Sequence, residues 1–151
     1  MDILTARDLH GSWLLREWRI DYPDGRPATT PFGPDPVGLL VYAPDGWMSA
    51  TMSWRRRTPL SAVSALKADD RSKAAAFQEY LAYSGRWRLE GSRIAHDVQM
   101  SMNPSLIGTC QYREASLHEG ILTLGAAEAI GAGLQRQHSI IWRRAADASA
   151  D

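Results

Sequence analysis

The sequence has almost no cysteine and no net charge. Of its 151 residues only Cys110 is a cysteine, which excludes an intramolecular disulfide, and no Cys/His spacing resembles a zinc site. The 17 basic residues equal the 17 acidic ones, so the chain lacks the positive surplus that phosphate backbones attract. We therefore expect no disulfide framework, no metal or other cofactor, and no nucleic-acid partner.

Long apolar segments are missing as well. No stretch approaches the ~18 consecutive apolar residues of a membrane span. Residues 1–13 contain Asp2 and Asp8 and no continuous apolar segment, so they do not resemble a secretory signal. The sequence favours a cytoplasmic protein without a membrane partner. Its length favours a single domain, over residues 1–144, followed by a small, polar and flexible tail at 145–151.

The aromatic residues are mostly amphipathic. Hydrophobic residues make up 44% of the chain, which is ordinary for a folded protein. Six Trp and five Tyr outnumber two Phe, so much of the apolar surface carries an N–H or O–H group that needs a partner. This composition suits an apolar wall with a few polar groups in it.

Short runs rich in Val, Ile, Leu, Trp and Tyr alternate with Gly, Pro and Asp, which predicts a mainly β protein. Three short turns at 44–46, 90–92 and 118–120 each contain a glycine suited to a tight hairpin, so neighbouring strands should pair antiparallel. The segments 22–36 and 125–133 are predicted as long connections. Eight strands are expected: Gly11–Asp21, Val37–Ala43, Trp47–Trp54, Ser84–Glu90, Arg93–Met102, Thr109–Leu117, Ile121–Leu124 and Leu134–Arg143.

One helix is expected, at Asp69–Ala82, between the third and fourth strands. Ala74, Phe77 and Leu81 form its apolar stripe, and an aspartate at its start is placed to cap it. Eight sequential antiparallel strands fit an up-and-down barrel whose interior is just wide enough for side chains or one small ligand. A sandwich of seven to nine strands is the alternative.

Several motifs extend this pattern over nearly the whole chain. The first is Gly11-Ser12-Trp13 at the start of the first strand, and the others are Pro31-Phe32-Gly33-Pro34, Val37 to Tyr42, Asp45 to Ala50, Tyr80 to Gly85, His96, Asn103-Pro104, Gly108-Thr109, Gln111, Arg113 and Ile141 to Arg144. Together they resemble the short lipocalin-like domain family of bacteria and fungi. The resemblance implies a barrel around an apolar cavity that holds a small hydrophobic or amphipathic molecule. It also implies that Arg143 or Arg144 packs over Trp13 by a cation–π contact.

Alternation along the strands assigns side chains to the barrel interior. Glu17 shares a face with Trp13 and Leu15, and the inward face of the fifth strand includes His96 and Met102. The family pattern turns the Gln-x-Arg pair inward. The candidate ligand-binding residues are Met48, Met52, Tyr83, Trp87, Met100, Gln111, Arg113 and His138. The same residues are also consistent with a barrel filled by its own side chains.

Two residues are candidates for chemistry. His96 on an apolar face is either a proton-transfer group or an imidazole hydrogen-bonded to a neighbour. Glu17 either neutralises Arg113 or acts with His96 as an acid/base pair whose pKa values burial shifts. The spacing of these residues leaves both alternatives open.

Three hypotheses of function follow. The first is a barrel, monomeric or homodimeric, that binds one small hydrophobic or amphipathic metabolite, with the predicted helix over one mouth. The alternative is a cofactor-free biosynthetic cyclase, isomerase or lyase that uses His96 and Glu17. The third is a protein-binding module that presents Trp18 and Trp47 on its outer wall.

Overall fold

Eight antiparallel strands close into a barrel in sequence order, and the last strand pairs with the first. The computed structural model describes residues 3–61 and 63–146. It confirms the expected up-and-down barrel, with the helix between the third and fourth strands, and excludes the sandwich. The strands are β1 Gly11–Asp21, β2 Pro36–Tyr42, β3 Trp47–Trp54, β4 Tyr80–Glu90, β5 Arg93–Ser101, β6 Cys110–His118, β7 Ile121–Gly131 and β8 Leu134–Arg144.

Two predicted boundaries are wrong, and strand pairing explains both. Residues 125–131 continue β7 rather than forming a connection, because β8 pairs with them as far as Gly131. The helix α2 spans Asp70–Gln78 and begins as expected, with the Asp69 carboxylate accepting the Ser72 N–H. It ends before Leu81, because that residue pairs with Met52 in the β3–β4 ladder.

The N-terminal segment closes one end of the barrel. A short helix, α1 at Ala6–Leu9, precedes β1 and buries Leu9. The Trp13 indole N–H donates to the Leu9 carbonyl over 3.0 Å, and the Arg144 guanidinium carbon lies 4.1 Å from the Trp13 ring centroid. Arg144, and not Arg143, therefore takes the cation–π position. Within the described residues, neither α1 nor α2 is long and apolar enough to cross a membrane.

The longer connections lie at the opposite, open end. They are the β1–β2 loop, the β3–β4 connection that contains α2, and the β5–β6 loop with a 3₁₀ turn at Pro104–Leu106. At the closed end, β8 continues into Ala145, whose N–H donates to the Ser12 carbonyl over 2.9 Å. Residues 147–151 of the predicted tail lie outside the described residues.

An irregularity in β1 reverses the expected facing of Glu17. Leu15 pairs with Trp142 and Glu17 with Ile141, so Arg16 is an extra residue on its strand. An inserted residue shifts the alternation by one position. Trp18 consequently faces inward where Glu17 was expected, and the prediction that Glu17 shares the face of Trp13 and Leu15 is wrong.

A second irregularity, in β5, reverses Met100. Val98 pairs with Gly85 and Met100 with Ser84, so Gln99 is the extra residue. Met100 is 57% exposed, and its predicted place on the inner wall is therefore wrong. The strands approach closely here, because a Cβ added to Gly85 would lie 1.9 Å from the Asp97 carbonyl oxygen.

Gly85→Ala should destabilise the barrel by about 2–3 kcal/mol, because the methyl group meets backbone that cannot move aside. Gly125→Ala is the matched control, since its Cβ would first meet the Gln137 side chain at 3.3 Å. We expect the control to change the free energy of unfolding by about 0.5 kcal/mol or less. Urea unfolding measures both, and equal losses in the two variants would contradict the close approach.

Candidate functional site

The open half of the barrel contains a cavity of about 310 Å³. Its lining comes from six strands and from the β5–β6 loop: Trp18, Met52, Leu81, Tyr83, Leu106, Gln111, Arg113, Ala126, Ala127, Glu128, His138 and Ile140. Six of these twelve side chains are wholly apolar, and the other six carry a polar group. The barrel is therefore not filled by its own side chains.

A second pocket of about 330 Å³ lies at the mouth of the barrel. The β1–β2 loop contributes Phe32 to it, and the last turn of α2 contributes Phe77. Trp18, Leu81 and Leu106 line both pockets, so they form the boundary between the mouth and the inner cavity. The last turn of the helix thus flanks the mouth, which the sequence analysis expected the helix to cover.

Five of the predicted ligand-binding residues line the inner cavity: Met52, Tyr83, Gln111, Arg113 and His138. Met48, Trp87 and His96 are buried in the core and are not part of the cavity wall. Pattern analysis missed Trp18, Leu81 and Leu106. The β1 irregularity concealed Trp18, and assignment to a helix concealed Leu81.

Trp18 also bears on the hypothesis of a protein-binding module. Its ring packs edge-on against Phe32, with the ring centroids 5.2 Å apart, and faces the cavity. It is therefore not on the outer wall, which corrects the prediction. Trp47 is 42% exposed, with the Arg86 guanidinium carbon 5.2 Å from its ring centroid.

A buried hydrogen-bonded chain borders the cavity. The His96 Nε2 atom lies 2.7 Å from the Tyr42 hydroxyl, and its Nδ1 atom lies 2.8 Å from the Tyr83 hydroxyl. Burial, and after it the positive charge of Arg113, lowers the pKa of His96 to about 3, while Asp97 acts in the opposite direction. Burial also raises the pKa of both tyrosines. All three side chains are therefore uncharged at neutral pH.

The partners of Tyr42 determine the tautomer of His96. Tyr42 is completely buried, and His96 Nε2 is the one hydrogen-bond partner of its hydroxyl in the described part of the chain. Because a buried O–H needs an acceptor, Tyr42 donates to Nε2. Nδ1 then carries the proton and donates to the Tyr83 oxygen. The Tyr83 hydroxyl hydrogen consequently has no acceptor among residues 3–61 and 63–146.

A second polar chain crosses the cavity wall near the mouth. The Trp18 indole N–H donates to His138 Nδ1 over 3.1 Å, so the His138 proton is on Nε2, 2.7 Å from the Glu128 carboxylate. Arg136 donates to the same carboxylate over 2.6 Å. Hydrogen bonds from Arg136 and then from His138 lower the pKa of Glu128 to about 2. The network fixes the position of Trp18 and compensates the Glu128 charge.

Arg113 is the other charged residue of the cavity wall. One of its N–H groups donates to the Tyr112 carbonyl over 2.8 Å. In the described ranges no carboxylate lies within ion-pair distance of Arg113, and no bond joins Glu17 to Arg113 or to His96. The predicted pairings of Glu17 are therefore not made. The reason is the extra residue in β1, which turns the carboxylate away from the interior.

A barrel plugged at one end by a helix and a tryptophan, and hollow at the other, defines the lipocalin class of proteins. The lipocalin-like domain profile matches residues 10–145, and this chain belongs to that family. This match confirms the resemblance to the lipocalin-like family that the sequence motifs indicated. A further comparison concerns a protein of Aspergillus oryzae described as the "4'-hydroxy-3'-methoxypropiophenone carrier protein ppsC". It is 34% identical over 88 residues, which cover 52% of this chain and 79% of that protein.

The burial of His96 makes stability depend on pH. The unfolded chain binds a proton as pH falls below about 6.5, whereas the native His96 binds one only near pH 3. The stabilisation is therefore complete above pH 6.5 and is lost between these values, with a slope approaching ~1.4 kcal/mol per pH unit.

We expect the difference in unfolding free energy between the native protein and His96→Gln to shrink as pH falls from 7 to 4. Denaturant titrations at each pH measure it. Both proteins contain the same carboxylates, so the effect of carboxylate titration on the unfolding free energy cancels when the two values are subtracted at each pH. His118→Gln, at the exposed end of β6, is the control for removing a surface histidine. A difference that stays constant across this range would contradict the assignment of His96 as a buried neutral group.

Proposed function

We propose that this protein binds and carries one small, largely apolar molecule in the inner cavity. The cavity itself carries this proposal, because an apolar lining with a few convergent polar groups is typical of small-molecule sites. Its volume of about 310 Å³ lies near the lower end of the usual range for ligand pockets, which favours a ligand of one or two rings.

The A. oryzae relative supports the same conclusion. That protein is named as a carrier, and the molecule in its name is an aromatic ketone with hydroxyl and methoxy groups. A ligand of that kind has an apolar ring for contact with Trp18 and Met52 and oxygen atoms for the polar groups of the wall. We therefore propose an amphipathic aromatic compound as the ligand class.

The alternative of a cyclase, isomerase or lyase needs an acid/base group in contact with the substrate. Both ring nitrogens of His96 form hydrogen bonds with tyrosine hydroxyls, and the imidazole is not part of the cavity wall. Glu17 faces away from the cavity. Because neither residue reaches a bound molecule, we propose binding rather than turnover.

Filling the cavity should weaken binding. Ala126 lines the inner cavity, so Ala126→Phe places a ring in the ligand volume, whereas Ala129 on the same strand is exposed and outside the lining. With the neutral fluorescent probe N-phenyl-1-naphthylamine, we expect Ala126→Phe to raise Kd at least roughly tenfold, the loss that ~1.4 kcal/mol of displaced contact produces. Fluorescence titration measures this change.

Ala129→Phe is the matched control and should keep the wild-type Kd. Circular dichroism and urea unfolding verify that both variants are folded. Binding of the probe to Ala126→Phe with unchanged affinity would show that the cavity is not the binding site, and the proposed function would then lose its main support.

A further inference from the structure

We infer that the ligand carries an ionised oxygen conjugated to its aromatic ring, and that Arg113 and Tyr83 recognise this oxyanion. The inference rests on the proposed function and makes its ligand class more specific. It starts from the uneven distribution of charge and of hydrogen-bond donors around the inner cavity.

The cavity wall carries one positive charge that no other described group balances. Of its two charged residues, Glu128 already accepts hydrogen bonds from Arg136 and His138. Among the described residues, the hydrogen bond that the Arg113 guanidinium makes goes to a backbone carbonyl, that of Tyr112. Arg113 is partly buried in the cavity wall, where its charge interacts more strongly with an anion than it would in water. An anionic ligand supplies such a partner.

Tyr83 adds a neutral donor to the same site. His96 donates to its oxygen, so the Tyr83 O–H remains free to donate toward the cavity that the residue lines. The charge of Arg113 acts against the burial that raises the pKa of Tyr83. Both residues line the inner cavity, so both donors belong to the wall that a bound ligand contacts.

The chemistry of 4'-acylphenols fits this arrangement. The para carbonyl group delocalises the charge of the phenolate, which makes such a phenol more acidic than tyrosine, whose side-chain pKa is ~10. The ionised form resembles a carboxylate extended by the length of the ring. An aromatic carboxylate also has a negatively charged oxygen conjugated to the ring, but its charge is shared over the two oxygens of one carboxylate group.

The experiment titrates the protein into 4'-hydroxypropiophenone at a pH one unit below the pKa of this probe. The phenolate absorbs at longer wavelength than the phenol, so absorbance shows whether the bound probe is ionised. We expect at least half of the bound probe to be phenolate, because its pKa in the complex is lowered by about one unit or more. A charge-assisted hydrogen bond is strong enough for such a shift.

Arg113→Met should remove the absorbance shift and raise Kd for this probe roughly 10- to 100-fold. Tyr83→Phe, which removes one neutral donor, should raise Kd roughly 2- to 10-fold, and Arg113→Lys should restore part of the shift. Arg143→Met, on the exposed face of β8, changes the net charge equally and should leave both quantities unchanged. A titration with 4-propylbenzoate then tells whether a carboxylate binds as well as the phenolate.

The methyl ether 4'-methoxypropiophenone separates the two proposals, since it has the same skeleton but cannot ionise. We expect the native protein to bind this methyl ether more weakly than it binds the phenol. We also expect Arg113→Met and the native protein to bind the methyl ether with the same Kd. If both probes bind the native protein equally and the phenol stays protonated, the oxyanion inference is wrong and the proposed function stands. If neither displaces N-phenyl-1-naphthylamine from the cavity, the aromatic ligand class is wrong as well.

Discussion

The ladder between β1 and β8 is the interaction on which the rest of this structure depends. It removes the last two free edges of the sheet, so each strand residue faces either a closed interior or the outer surface. The interior has a filled half and a hollow half, which differ in the size of their side chains. Rings and the α1 helix occupy one half, with Trp13 at the plug, while smaller side chains such as Ala126 leave space in the other half.

The sequence was sufficient for the barrel and for part of the site. Hairpin glycines and strand alternation predicted the strand order and placed Met52, Tyr83 and His138 correctly. Glu17 and Met100 were misplaced because each follows an inserted residue, and no local residue preference marks such an insertion. Leu81 was misplaced because alanine-rich sequence favours a helix up to the point where pairing with β3 prevails. Cavity volume depends on packing across several strands, which no local pattern contains.

The polar groups of the interior have two different roles. The Tyr42–His96–Tyr83 chain satisfies its own hydrogen bonds almost completely and holds an uncharged imidazole inside the barrel. Arg113 has no carboxylate partner in the part of the chain that the structure describes. His96, a candidate for chemistry in the sequence, has both ring nitrogens hydrogen-bonded to tyrosines and lies outside the cavity lining, whereas Arg113, which was expected to need a carboxylate partner, lines the cavity.

The contacts of Arg144 with the carbonyls of Asp8 and His10 join the segment before β1 to the last strand across 136 and 134 residues. Both of these segments therefore lie on the side of the barrel opposite the mouth. A fusion partner or a sensor surface attached beside either segment would leave the cavity entrance facing solution. The same geometry permits the barrel to be displayed in ordered arrays in which each cavity remains accessible to ligand.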